Sequence, residues 1–137
     1  MDKGCIHINF DGKLIGKGRP RFGKGRVYTP AKTLSAETSL GWDAHAAMQR
    51  QKLKLFQGPV SLFCNIMVAY PKSWSQKRRR ESHVYYTGKP DADNCIKLVG
   101  DALNGIVWKD DSQIALITFQ RTWWTQDHVY IRVEEIE

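Results

Sequence analysis

Val60, Leu62, Cys64, Ile66 and Val68 occupy every second position of one stretch, and Phe63 and Met67 sit between them. Alternate residues of an extended chain point to opposite faces, so this period of two reads as a strand. Apolar residues on both of its faces predict a central strand, one that lies inside a sheet rather than at its margin.

The rest of the pattern supplies neighbours for it. Residues 6–10 alternate like a half-buried strand, and Asp11-Gly12 supplies a turn. Residues 13–32, KLIGKGRPRFGKGRVYTPAK, are too broken by Gly and Pro for regular structure. Thr33 or Ser35 caps a helix running to about Lys54, with Leu40, Ala44, Ala47 and Met48 on one side, and Gly58-Pro59 ends that unit. After the central strand, Lys77-Arg78-Arg79-Arg80 reads as a short basic helix starting at Ser73 or Ser75. Residues 93–104 form a helix whose buried stripe is Ile96, Val99, Ala102 and Leu103, stopped by Asn104-Gly105. Strands follow at 114–123 and 129–134. With 137 residues, no internal repeat and no long linker, the chain is expected to be one α+β domain over 1–137, a mixed β-sheet with helices packed on it.

The net charge of +7 favours an acidic partner. Its distribution says more: residues 1–90 hold 17 Lys and Arg against 5 Asp and Glu, whereas residues 91–137 hold 4 against 9. A basic two-thirds followed by an acidic third fits a polyanion-binding surface beside a carboxylate site. Cys5, Cys64 and Cys95 are odd in number and without C-x-x-C spacing, which argues against a disulfide framework or a zinc knuckle. Each lies in an apolar run and is expected to be buried. The start of the chain has no signal-peptide core, and no apolar run approaches the ~20 residues of a membrane span. The expected setting is therefore soluble and cytoplasmic, with no membrane partner.

The acidic third opens on Lys89-Pro90-Asp91-Ala92-Asp93-Asn94. Residues two apart in an extended segment point the same way, so Asp91 and Asp93 can face one ion. Mg²⁺ suits such an oxygen-rich shell, keeping waters and binding substrate phosphate. Lys97 follows Asp93 by four residues and Asp101 follows Lys97 by four, so the three share a helix face away from the apolar stripe. A metal there would polarise a phosphodiester and activate water, while a lysine would stabilise developing negative charge. Asp110-Asp111 precedes the strand at Ile114, and the turn at Asn104-Gly105 lets residues 106–108 run back along the helix toward Asp91 and Asp93. Singly, each residue has a plainer reading: an aspartate as N-cap, Lys97 as half of a surface pair, Asp110-Asp111 as a polar turn. A cap accounts for one aspartate, but not for four flanking one helix.

KPDADNCIKLVGDALNG followed by VWKDDSQI resembles the RusA family of Holliday junction resolvases, which are crossover junction endodeoxyribonucleases. The likeness extends to KGRPRFGKGRVYTPAKT and YPKSWSQKRRR, in order and over most of the chain. It implies a small homodimeric nuclease, bacterial or phage-encoded, that uses Mg²⁺ and resolves four-way DNA junctions by paired nicks in recombination and repair. A two-fold dimer would match the pseudo-symmetry of such a junction. The resemblance implies catalytic roles for Asp91, Asp93, Lys97 and Asp111, with metal bound by Asp91, Asp93 and Asp111. Asp111 is favoured because it lies nearer the strand, but the adjacent Asp110 leaves the register open, and Asp101 is expected to give support.

DNA contacts are expected from Lys17, Arg19, Arg21, Lys24 and Arg26, which are interleaved with Gly16, Gly18, Gly23 and Gly25. Glycine lets amides approach phosphates, and arginine forks onto phosphate oxygens. Phe22 and Tyr28 are candidates to stack on exposed bases. Lys77, Arg78 and Arg79 read either as a phosphate clamp or as a solvated charge run. The five tryptophans are expected in the core or a dimer interface, and the histidines lack ligand spacing. A non-catalytic branched-DNA or RNA binder is the competing reading. It needs the basic loops but not a carboxylate set facing a polyanion, which would cost affinity.

Overall fold

The alternating stretch at Val60 forms the strand around which the sheet is built. The computed structural model describes residues 4–14, 21–23, 26–28 and 31–136, with side chains in 4–14 and 36–136. Its elements are β1 (Cys5–Asp11), β2 (Arg21–Gly23), β3 (Arg26–Tyr28), α1 (Ala31–Arg50), β4 (Val60–Ala69), α2 (Gln76–Glu81), α3 (Ala92–Leu103), β5 (Ile114–Trp124) and β6 (His128–Glu135). A 3₁₀ turn over Asp111–Gln113 leads into β5.

The main sheet runs β1-β6-β4-β5, so β4 is interior as its two apolar faces predict. It pairs antiparallel with β6 and parallel with β5, Cys64 lying opposite Ile131 on one side and Phe119 on the other. Mixed strand directions with helices packed on the sheet make this an α+β fold. One sheet face carries the core: Ile6 and Ile8 of β1, Leu62 and Cys64 of β4, and Val129, Ile131 and Val133 of β6. They are fully buried in one cluster with Leu40, Ala44, Ala47 and Met48 of α1 and with α3. Trp108 is buried among them, and its indole donates to Asn104 Oδ1 at 2.7 Å, satisfying its one polar atom.

Several details depart from the sequence reading. β2 and β3 pair antiparallel, Phe22 opposite Val27, inside the segment expected to lack regular structure. Phe22, Val27 and Tyr28 are residue types that favour strands. Helix α1 starts at Ala31, ahead of Thr33, and ends at Arg50 rather than near Lys54. Lys52 takes the left-handed conformation (φ 55°), its amide donating to Gln49 O and that of Leu53 to Met48 O, both at 3.0 Å. This Schellman closure satisfies the last carbonyls without a glycine. In α3 the buried stripe is Cys95, Leu98, Val99, Ala102 and Leu103, with Ile96 only half-buried. The helix packs against α1 and shares the core cluster with the sheet, which widens the apolar stripe by one column. Cys5 is half-buried because it begins an edge strand, and of the tryptophans only Trp108 belongs to the core, Trp42 and Trp124 being exposed.

Candidate active site

Asp91 stands at the N-cap of α3, with extended backbone and its carbonyl accepting the first helical bond from Cys95 N at 3.2 Å. Its carboxylate, however, makes no capping bond. It accepts instead from Lys89 Nζ at 2.8 Å, and that ammonium, with a smaller contribution from Arg121, holds the Asp91 carboxyl below the usual range. Both partners are exposed, so the pair orders charge more than it stabilises the fold. Asp93 lies exposed in the first turn, where the helix dipole favours an anion. The Lys89–Pro90 peptide that leads in is cis.

The entry loop is braced from the sheet. Arg121 of β5 donates to the carbonyls of Gly88, at 2.9 Å, and of Pro90, and its guanidinium lies over the Tyr86 ring. The Tyr86 hydroxyl donates to the Lys89 carbonyl. These braces fix the backbone on either side of Lys89, two residues from Asp91. Neither residue is singled out by the sequence motifs, although Arg121 is the one charge in the β5 sequence IALITFQRTWW.

Beyond Asp93, Lys97 is exposed on the same side of α3. Gly100 lies seven residues after Asp93, about 20° round the helix and about 10 Å along it. A Cβ built at Gly100 would lie 3.5 Å from Asp111 Oδ2, an ordinary contact distance, so the Asp111 carboxylate rests against α3 at Gly100. Asp93, Lys97 and Asp111 thus line one strip, with the lysine between the acids. The expected return of Asp110-Asp111 therefore occurs, but it reaches the C-terminal half of α3 rather than the Asp91/Asp93 end. Asp101 is half-buried and lines a hollow against α1 with Glu37 and Trp42, off this strip.

The two adjacent aspartates are in different environments. Asp110 caps the 3₁₀ turn, its Oδ2 accepting from Ser112 N at 3.2 Å, and the Ser112 hydroxyl and amide hold its carboxyl below the usual range. Gln113 locks the turn: its Oε1 accepts from the amides of Lys109 (2.8 Å) and Asp110 (3.1 Å), and its Nε2 donates to the carbonyls of Phe56 (2.8 Å) and Gly58 (3.0 Å). Asp111 is left to point at α3. Replacing Gln113 by Ala strands two part-buried carbonyls and is expected to cost roughly 1–3 kcal/mol. Urea unfolding of the two proteins measures that difference, and an unchanged midpoint would remove Gln113 as the anchor of Asp111.

Among the described residues no three Asp, Glu, His or Cys side chains come close enough together to hold a metal ion. The donors along the strip nonetheless have the chemistry for a hard cation. They are exposed carboxylates, and Mg²⁺ is commonly held by one or two such groups, with waters and substrate phosphates completing its shell. The thiols do not compete, because burial pushes Cys64 up to about 12 and raises Cys95 as well.

On the basic side, Ser75 caps α2 by accepting from Arg78 N at 3.1 Å, one of the two starts the sequence allows. Lys77 and Arg78 are exposed, Arg78 lying over the Trp74 ring at 4.3 Å. Arg79 is half-buried over Tyr70. Lys17, Arg19 and Lys24 lie outside the described residues. Arg21 and Arg26 are described only through the backbone of β2 and β3.

Residues 11–134 match the model of the family described as Endodeoxyribonuclease RusA, which places the chain in a class of DNA-cutting enzymes. It is also 30% identical over 141 residues to the uncharacterized protein YqaN of Bacillus subtilis (strain 168), spanning 96% of this chain and 97% of that protein. The chain belongs to the RusA endodeoxyribonuclease family. No helix among the described residues is long and apolar enough to cross a membrane.

Proposed function

We propose that the protein is an Mg²⁺-dependent, structure-specific endodeoxyribonuclease that resolves four-way DNA junctions by paired, symmetric nicks, acting as a cytoplasmic homodimer. The observation that carries this reading is the strip on α3, where Asp93, Lys97 and Asp111 follow one another beside Asp91 in a chain of this family. Asp91 and Asp93 would hold the ion, with Asp111 as a third carboxylate toward the substrate. Held there, the ion would supply Lewis-acid chemistry, polarisation of a phosphate and activation of water. Lys97 supplies a positive charge between the acids, where it meets the phosphate oxygens as negative charge develops. Lys89 pairs with the Asp91 carboxylate, and Arg121 fixes the loop that presents it. The basic 17–26 segment and Lys77, Arg78 and Arg79 of α2 hold flanking phosphates.

The test incubates the purified protein with a labelled four-way junction, a linear duplex and a single strand, in Mg²⁺ or in EDTA. Nicks at symmetric positions on two opposed junction strands, in Mg²⁺ only, are expected. Junction binding without Mg²⁺-dependent nicking would make the protein a binder rather than a nuclease. Equal cutting of all three DNAs would overturn the junction specificity.

A further inference from the structure

Between α2 and the end of β5 lies an open groove of about 630 Å³, whose walls include Trp74, Lys77, Arg78, His83, Tyr85 and Trp123. We propose that this groove binds an unpaired nucleotide of the branched DNA, its base against Tyr85 and its phosphates on Lys77 and Arg78. The proposal rests on the DNA-cutting reading above and adds a subsite to it.

Tyr85 carries the argument. Its backbone is fixed on both sides: it bridges to Thr122, Trp123 N donates to Val84 O at 3.0 Å, and Tyr86 N donates to Arg121 O at 2.9 Å. The residue is nevertheless 60% exposed. An aromatic side chain on an anchored backbone, left in water inside a groove, offers a stacking face that costs little entropy to use. The wall behind it is equally fixed. Trp123 lies 5.0 Å from Trp74, stacks on Tyr70 at 5.6 Å and 7°, and takes the Tyr86 ring edge-on at 5.0 Å.

Charge chooses the ligand. Aromatic walls alone would suit a cation, but Lys77 and Arg78 outnumber Glu81 along this groove and Arg78 already covers Trp74. Aromatic faces beside a positive edge are what single-stranded nucleic acid needs, bases stacking while the backbone follows the charge. The volume falls in the range of about 300–1,000 Å³ usual for ligand sites. A paired duplex keeps its bases stacked on one another and cannot enter, whereas a branch point can release one. The groove is also wired to the acidic strip: Tyr85 is six residues before Asp91, and β5, which holds residues 84–86, braces Gly88 and Pro90 through Arg121. A base seated on Tyr85 would therefore fix the strand relative to Asp91.

The test uses the full chain in EDTA with two DNAs of equal length, one fully paired and one with a short gap carrying 2-aminopurine at the unpaired position. Quenching of the probe on binding is expected, with tighter binding of the gapped DNA. In Tyr85→Ala the gapped-to-paired affinity ratio should fall roughly 10- to 100-fold, and Tyr85→Phe, which keeps the ring, should restore it. A probe that stays bright, or a ratio unmoved by Tyr85→Ala, overturns the proposal. If junction cutting in Mg²⁺ persists alongside that result, only the groove falls. If the wild-type chain binds neither DNA, the groove and the nuclease reading fall together.

Discussion

Asp93→Asn is expected to lower Mg²⁺-dependent nicking of a four-way junction by on the order of 10²-fold or more, while junction binding in EDTA is retained or tightened. The substitution keeps the shape and removes one negative charge from the first turn of α3, where the side chain is exposed. Losing a favourable anion at a helix N-terminus costs about 0.3–1 kcal/mol, too little to unfold a domain with this core. If Asp93 holds the proposed ion, its loss instead removes stabilisation where charge would develop on the reacting phosphate, an effect worth about 10²–10³ in rate. Binding moves the other way, because a carboxylate facing a polyanion works against it. Single-turnover nicking across a Mg²⁺ series, beside a gel-shift titration in EDTA and a thermal melt, separates the three quantities. A purely structural role would lower the melt and leave the rate. Cutting within tenfold of wild type would mean that Asp93 does not hold the ion.

How much of this was legible in the sequence depended on whether the signal was local. The interior position of β4 follows from its own alternation, and the α+β class follows from the order of the elements. Asp91, Asp93 and Lys97 are within seven residues of one another, so helical geometry alone aligns the last two and sets Asp91 at the entrance. What the sequence concealed were relations between distant segments. Cys95 and Leu98 displace Ile96 from the centre of the buried stripe because α3 packs against α1 and shares the core cluster with the sheet, and no one-helix pattern reports two neighbours. Arg121 lies 31 residues from Pro90, whose carbonyl it holds, so nothing local marks it as part of the site. Tyr85 and Trp123 have the same difficulty: Trp123 reads as a core or interface tryptophan, and only the bridge of Tyr85 to Thr122 brings the two aromatics to one groove. The pairing of β2 with β3 was missed for a different reason. Glycine and proline there outweigh the short β-forming runs between them.

The choice between Asp110 and Asp111, which the sequence left open, is expected to resolve sharply. Asp111→Asn should reduce junction nicking on the order of 10²-fold with little change in stability, whereas Asp110→Asn should leave both near wild type. Asparagine serves as an N-cap about as well as aspartate, so the bond from Ser112 N and the turn that depends on it survive in Asp110→Asn. Asp110→Ala loses that bond and should cost roughly 0.5–2 kcal/mol in urea unfolding, again with nicking largely kept wherever the protein remains folded. Asp111 has no such duty in the turn, and its carboxylate lies against Gly100 on the strip that holds Asp93 and Lys97. One aspartate thus shapes the turn and its neighbour is presented by it. Measured rates and urea midpoints for the three variants test both halves of that division. Nicking lost in Asp110→Asn and kept in Asp111→Asn would reverse the assignment and turn the 3₁₀ cap itself into the third carboxylate of the site.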